Sequence, residues 1–296
     1  MTDLTFFYVT DGPRLQTQAV LLAKSLRDTH PLAAQIAYVP TANAAALPEP
    51  FRHAMAAFNV EIREIPEPAE TWRAPYPHGN KILAAAEPRE TRHSVFLDSD
   101  MFAVKPLLLT DLPTEMEVSV VPEGVIGWGE DLTRWERVYA HFDLPVPEER
   151  IRMLRGARRM SPPYFNAGFV AFREDDRIDG KSFGALWRET ASEIDWKVSV
   201  GGKRPWLDQI SLPVALKRFG FTTKVVAERN NTSISHDRAL DDLDPAILHY
   251  HRARFLRRWP GIEVEIAETI GEMPQSSQDW LRGSLSAGGF IDALDD

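Results

Sequence analysis

The chain has 296 residues, 34 Lys+Arg against 43 Asp+Glu, a formal net charge of −9, 44% apolar and 26% charged residues, and no cysteine. That composition suits a globular protein of one large or two small domains, long enough to bury a core without covalent staples. It excludes disulfides, thiolate metal sites and a cysteine nucleophile, and the acidic balance argues against a general nucleic-acid binder.

Thr5-Phe6-Phe7-Tyr8-Val9 reads as a buried strand and Asp11-Gly12-Pro13 as a turn. Leu15, Ala19, Leu22 and Leu26 follow at helical spacing. Ile36 to Val39 predicts a second strand stopped by Pro40, then a helix falls around Pro50 to Phe58, and Val60 to Ile65 alternates as a third strand. Lys81 to Ala86 predicts a helix, and Ser94-Val95-Phe96-Leu97 a buried strand ending at Asp98. Strands and helices in series imply an α/β fold, a mostly parallel twisted sheet with helices on both faces.

The second half is less regular. Val118 to Val121 and Phe165 to Phe172 predict strands, and residues 129 to 159 between them look helical and highly charged. Lys181 to Asp195 and Asp208 to Phe219 predict helices, the latter interrupted by Pro213. Thr222 to Ala227 and Ile247 to His251 predict strands, and the last stretch mixes a helix with Gly288-Gly289 and an acidic tail. The simplest organisation is one catalytic domain over residues 1–262 and a C-terminal helical extension over 263–296. Met1-Thr2-Asp3-Leu4 places an acid where a secretory signal carries positive charge, and no apolar run approaches the roughly 20 residues of a spanning helix. A cytoplasmic protein is expected.

The sharpest chemical feature is Val95-Phe96-Leu97-Asp98-Ser99-Asp100. Residues i and i+2 of a strand share a side, so Asp98 and Asp100 converge at the carboxyl end of a buried strand, where open α/β sheets bind ligands. Paired carboxylates repel one another unless a cation lies between them, and their hard oxygens suit Mg²⁺ or Mn²⁺, which in turn holds a diphosphate. The alternative is a pair of acids in a turn with no ligand.

Phe96-Leu97-Asp98-Ser99-Asp100 resembles the Asp-x-Asp motif of nucleotide-sugar glycosyltransferases of the GT-A fold, and three further segments stand in the order of glycosyltransferase family 8. Tyr164-Phe165-Asn166-Ala167-Gly168-Phe169 resembles that family's Phe-Asn-Ala/Ser-Gly strand, Trp206-Leu207-Asp208-Gln209 its Asp-Gln helix start, and Ile247-Leu248-His249-Tyr250 its late metal-binding histidine. The resemblance covers residues 5 to 260. It implies a Rossmann-like nucleotide-binding half and an acceptor-side half. It also implies a metal-dependent hexosyl transfer from a nucleoside-diphosphate sugar, usually UDP-linked, to an acceptor, with retention of configuration.

On this resemblance the metal ligands are Asp98, Asp100 and His249, with His251 as substitute. A nitrogen ligand leans towards Mn²⁺. Thr10 and Asp11 take the nucleobase and ribose, and Ser99 and Lys81 lie with the donor. Asn166, Asp208 and Gln209 lie near the sugar as the catalytic set. Asp208 has a second reading as a helix N-cap, and Lys81 one as an exposed surface lysine. After His249 the family continues to a Gly and then a Lys. This chain instead carries Arg252, Arg254, Arg257 and Arg258, of which Arg254 or Arg257 would clamp the diphosphate bidentately.

Arg150, Arg152, Arg155, Arg158 and Arg159 form a basic cluster in an acidic chain. Two readings stand: a site for an anionic acceptor or peripheral contact with anionic lipid, and a charged helix face paired with Glu148 and Glu149. The acceptor itself, whether glycan, lipid-linked or protein, is open. Apolar residues leading into Asp-x-Asp also occur in haloacid-dehalogenase phosphohydrolases, and a non-catalytic sugar-nucleotide binding protein is a third alternative.

Overall fold

A computed structural model describes residues 3–292 apart from 69, 236, 237 and 242. The chain divides into two compact units, the first of residues 1–65, 97–107 and 229–296, the second of 66–96 and 108–228. The first unit opens with β1 (Leu4–Val9), α1 (Pro13–Thr29), β2 (Ala34–Pro40), α2 (Thr41–Ala44), α3 (Glu49–Ala57) and β3 (Glu61–Ile65). The chain then enters the second unit for α4 (Asn80–Ala86) and β4 (His93–Leu97), whose last residue already belongs to the first. It returns for β5 (Met101–Ala103), and the second unit resumes with β6 (Glu117–Pro122), α5 (Leu132–Ala140), β7 (Ile151–Arg152), β8 (Met160–Ser161) and β9 (Phe165–Arg173). The hairpin β10 (Arg177–Ile178) and β11 (Lys181–Ser182), then α6 (Phe183–Lys197), α7 (Leu207–Arg218) and β12 (Thr222–Val225), complete that unit. The first unit closes with β13 (Thr232–Ser233), β14 (Ile247–His249), α8 (Ala253–Leu256), α9 (Ile262–Gly271) and α10 (Gln275–Ala287).

The protein is mixed α/β with mostly parallel sheet strands. In the first unit β1, β2 and β3 run parallel, Thr5 opposite Ala34 and Ile36 opposite Glu61. β1 is buried along its whole length, so it reads as a continuous apolar run rather than an alternation. α10 packs on α3, α1 and α9. In the second unit β12 pairs parallel with β6, β6 antiparallel with β9, and β4 lies beside β9. α4 and α7 both pack on α6.

Four expectations need correction. The strand before the paired acids ends at Leu97, so Asp98, Ser99 and Asp100 form the turn between β4 and β5 rather than alternating along a strand. The strand expected to reach His251 stops at His249, and His251 adopts a left-handed φ of 57°. The charged stretch 129–159 is helical only over Leu132–Ala140. Pro145, Pro147 and Gly156 (φ 59°) break the helical pattern, and the rest forms irregular chain and the β7–β8 hairpin. Pro213 does not interrupt α7, which runs through it with every residue from Leu207 to Leu216 buried. The acidic tail expected after Gly289 lies, from residue 293, outside the described residues.

Candidate functional site

The first unit builds a cluster around Asp100. β5 and β14 pair antiparallel, Met101 opposite His249, so the residues just beyond the pair, Asp100 and Tyr250, meet. The Tyr250 N–H donates to the Asp100 carbonyl at 3.0 Å. The acidic turn is tied down from both sides. The Ser99 hydroxyl donates to the Val9 carbonyl at the end of β1, and the Ala103 N–H donates to Ser25 Oγ on α1 at 3.1 Å.

His249 is nearly fully buried, and its Nε2 lies 3.2 Å from Asp100 Oδ1. Its Nδ1 lies 2.9 Å from Asn231 Oδ1. An amide oxygen only accepts, so Nδ1 carries the proton and Nε2 turns towards the carboxylate. A neutral ring then faces two acceptors at each other, which is costly unless a proton or a cation lies between them. The His251 ring stacks on that of His249 with centroids 3.8 Å apart, and its Nε2 lies 3.1 Å from Ser233 Oγ. One ligand atom from each of Asp100, His249 and His251 falls within 4.8 Å of the others. Two imidazoles and a carboxylate, one ring oriented by an amide behind it, are a donor set that fits a divalent cation. Burial, with the Asp100 carboxylate nearby, pushes the Tyr250 phenol far above its usual range and keeps it neutral.

The other predicted positions of this unit fall as follows. Asp98 sits half-buried at the start of the turn, outside the group of three that converges, and Ser99 is buried beneath it. Thr10 is fully buried, its N–H bonded to the Tyr38 carbonyl at 2.7 Å, while its hydroxyl has no partner. Asp11 accepts from Asn43 Nδ2 at 2.8 Å. Arg254 lies exposed on α8 with its guanidinium 4.8 Å from the Phe255 ring centroid, and Arg257 is paired with Asp292 at 2.7 Å.

The second unit builds a different constellation around Glu123. A bulge between Val120 and Val121 shifts the β6–β9 register, setting Val121 opposite Asn166 and Pro122 opposite Phe165. Glu123 follows directly, and its buried carboxylate accepts from Asn166 Nδ2 at 2.9 Å, Gln209 Nε2 at 2.8 Å and its neighbour's N–H on Gly124 at 2.6 Å. Asn166 Oδ1 accepts from the Gly168 N–H at 2.9 Å. Gln209 Oε1 is buried and has no partner.

Nearby, Lys81 is buried rather than exposed. Its Nζ lies 3.1 Å from Asp208 Oδ2 and 3.5 Å from the Ala167 carbonyl. Asp208 does not cap α7. The helix begins at Leu207 with no side-chain cap, and the Asp208 carboxylate goes instead to Lys81 and to the Tyr76 hydroxyl, 3.1 Å from Oδ1. Burial, then the Asp208 charge, pushes the Tyr76 phenol strongly up. The sequence reading missed Asn231, Ser233, Glu123 and Tyr76. Each is a lone polar residue outside any motif; strand pairing places Asn231 and Ser233, the bulge places Glu123, and the loop before α4 brings Tyr76 to Asp208 on α7.

The arginine cluster lies on the β7–β8 hairpin and its approach, not on a helix face. Arg150 bonds the backbone carbonyls of Pro147, Glu148 and Glu149 rather than the glutamate carboxylates, and Arg159 pairs with Glu130. No helix among the described residues is long and apolar enough to cross a membrane.

The α/β architecture is the GT-A fold of the solved glycosyltransferases compared below. The chain belongs to the Rhodobacterales glycosyltransferase domain family, whose model matches residues 6–220. That match sets aside the phosphohydrolase and the non-catalytic binding protein. Comparison with curated proteins finds no match. Solved structures that share the fold include an active-site glutamine-to-glutamate mutant of LgtC, 15% identical, covering 95% of this chain and 100% of its own, with a TM-score of 0.59. The galactosyltransferase LgtC in complex with donor and acceptor sugar analogues is also 15% identical over 95% and 100% of the two chains, with a TM-score of 0.58. Mouse xyloside xylosyltransferase 1, apo form, is 12% identical, covering 83% of this chain and 96% of its own, with a TM-score of 0.50.

Proposed function

We propose that this glycosyltransferase moves a sugar from a nucleoside-diphosphate sugar, with UDP as the expected nucleotide, to an acceptor hydroxyl, using a divalent cation. The observation that carries the reading is the convergence of Asp100, His249 and His251, with His249 Nδ1 held by Asn231 so that Nε2 faces inward. Asp98 stands two residues away as a further oxygen donor, and the mixed nitrogen and oxygen set favours Mn²⁺ over Mg²⁺. The chemistry such a cation supplies is charge neutralisation of the diphosphate as it departs.

The chain's own groups do the rest. The buried, unpartnered Thr10 hydroxyl and Asp11 receive the nucleoside, and Arg254 adds positive charge against the diphosphate. Asn166 and Gln209, both clamped by Glu123, orient amide groups for sugar hydroxyls. The Gln209 Oε1 acceptor is ready for a hydroxyl proton. An active-site glutamine was the residue replaced in the LgtC mutant, and Gln209 is this chain's candidate for that place. Lys81 and Asp208 act as a pair, each holding the other's charge in place beside the sugar. Retention of configuration is carried over from the family 8 resemblance.

Thermal-shift measurement with nucleoside diphosphates, with and without Mn²⁺, tests the core of this. A ligand that binds only the native state raises its melting point. UDP with Mn²⁺ is expected to stabilise the protein more than UDP alone, and Asp100→Ala to remove the metal-dependent part. The absence of a Mn²⁺-dependent shift with any nucleoside diphosphate would overturn the proposal.

A further inference from the structure

The second unit contains a cavity of about 230 Å³ between the β7–β8 hairpin loop and the segment after β6. Its lining is apolar at Val125, Ile126 and Met153, and carries Arg155, Arg158 and Arg159 against a single acid, Glu130. Arg159 and Glu130 pair with each other and Arg155 approaches Glu123, so the guanidinium left over is that of Arg158, in a chain whose overall charge is −9. The loop is held in a defined shape. Gly156 and Arg158 adopt left-handed φ values of 59° and 46°, and the Met153 N–H bonds the Arg159 carbonyl at 3.0 Å. Among the described residues no hydrogen bond or ion pair reaches the Arg158 side chain.

The cavity is joined to the Glu123 constellation by backbone. Leu154 N–H bonds the Glu123 carbonyl at 3.1 Å and Arg155 N–H the Gly124 carbonyl at 2.8 Å. The Arg155 guanidinium lies flat against Gly124. A Cβ there would overlap its Nε, so only glycine lets it approach this closely. One end of Arg155 comes within 4.0 Å of Glu123 Oε1, the carboxylate that holds Asn166 and Gln209.

We infer that this cavity is an acceptor subsite for an anionic group, the carboxylate or phosphate of a charged saccharide. This deepens the glycosyltransferase reading and rests on it. Guanidinium forks bind planar carboxylate and tetrahedral phosphate oxygens through paired N–H donors. The apolar part of the lining suits the C–H face of a sugar ring, and the concave shape suits a small group rather than a flat lipid surface.

Binding of methyl glucoside, glucuronate and glucose 6-phosphate to the full chain, followed by NMR titration at low salt, tests this, the two charged sugars distinguishing carboxylate from phosphate. At least one charged sugar is expected to bind about tenfold or more tightly than the neutral glucoside. Arg158→Gln is expected to lower that preference about tenfold, and Lys217→Gln, which removes one exposed charge of the same unit outside the cavity, to preserve it. Gly124→Ala keeps every charge but evicts the Arg155 guanidinium, and is expected to weaken the charged sugar as well. Equal binding of all three sugars overturns the inference, as does equal loss in Arg158→Gln and Lys217→Gln. So does co-sedimentation with phosphatidylserine vesicles without sugar discrimination. Mn²⁺-dependent UDP-sugar turnover, measured on the same preparation, separates the two readings. Turnover without charge preference sinks the subsite alone. Charge preference without turnover supports the anion site and sinks the transferase reading beneath it.

Discussion

The two units solve opposite electrostatic problems. In the first, Asp100 and His249 converge with an amide oxygen behind the ring, so the cluster is completed by a cation or a proton from outside. In the second, Lys81 is matched by Asp208, and Glu123 receives three N–H donors from within the unit. On the proposed function, one region would recruit its missing charge. The other has its amide and carboxylate groups already fixed by internal partners, which on the proposed function would let them meet a sugar without reorganisation. Substitutions in the first are therefore expected to show as metal dependence, and in the second as lost stability or lost positioning.

The largest effect is expected from Asp100→Ala. Removing a ligand that no other group replaces should lower Mn²⁺-dependent turnover by about 1,000-fold or more, near 4 kcal/mol of barrier. Thermal stability without metal should change little, since removing the carboxylate also removes the unfavourable approach of two acceptors between Asp100 and His249. Turnover that survives within tenfold would show that the cation is held elsewhere. Pairing Asp98→Ala with His251→Ala sharpens the assignment, because the variant with the larger rise in Mn²⁺ requirement identifies the third ligand.

Lys81→Met probes the second region. The pair is nearly buried, with side-chain exposures of 11% and 6%, and leaving Asp208 charged without its partner is expected to cost about 3 kcal/mol of unfolding free energy. The double variant with Asp208→Leu should recover part of that loss, measured by urea denaturation. If each single variant is neutral and the double adds nothing, the second region is not internally balanced and the contrast fails.

Asn231→Ala is expected to be milder. It leaves all metal-facing atoms in place but frees the His249 ring, so the Mn²⁺ concentration for half-maximal activity should rise about 10- to 100-fold, with saturating metal restoring turnover. A fall in turnover that excess Mn²⁺ does not rescue would assign Asn231 a different role.

How much of this was legible in the sequence varies with range. β1 through β4 were readable because each strand is a short β-branched or aromatic run punctuated by Pro, Gly or Asp. That Asp100 and His249 come together was foreseeable from motif order, although 149 positions separate them. Asn231 and Glu123 were not, because a lone polar residue has no periodicity and its partner is set by the β13–β14 pairing or by a bulge one residue long. The stretch 141–159 misled because its charges imitate helical spacing, while Pro145, Pro147 and the loop geometry at Gly156 decide the backbone. The Asp208 cap failed for another reason: its carboxylate gains more from a buried ammonium than from the helix N–H groups.

The smallest expected effect is a pH dependence confined to the first unit. His30 Nε2 accepts the Leu107 N–H at 2.9 Å, anchoring the far end of the segment that carries the acidic turn. Burial pulls its pKa down from 6.5 to about 4. Between those values the unfolded chain binds a proton that the folded chain refuses. This contribution is therefore full above pH 6.5 and is lost progressively as pH falls towards 4, by about 1 to 2 kcal/mol at pH 5 after allowing for partial solvent exposure. Melting temperature between pH 7 and 5 should fall less steeply in His30→Gln, whose amide stays neutral across the range, than in the parent chain. Identical slopes would show that His30 titrates in the folded protein as it does in water.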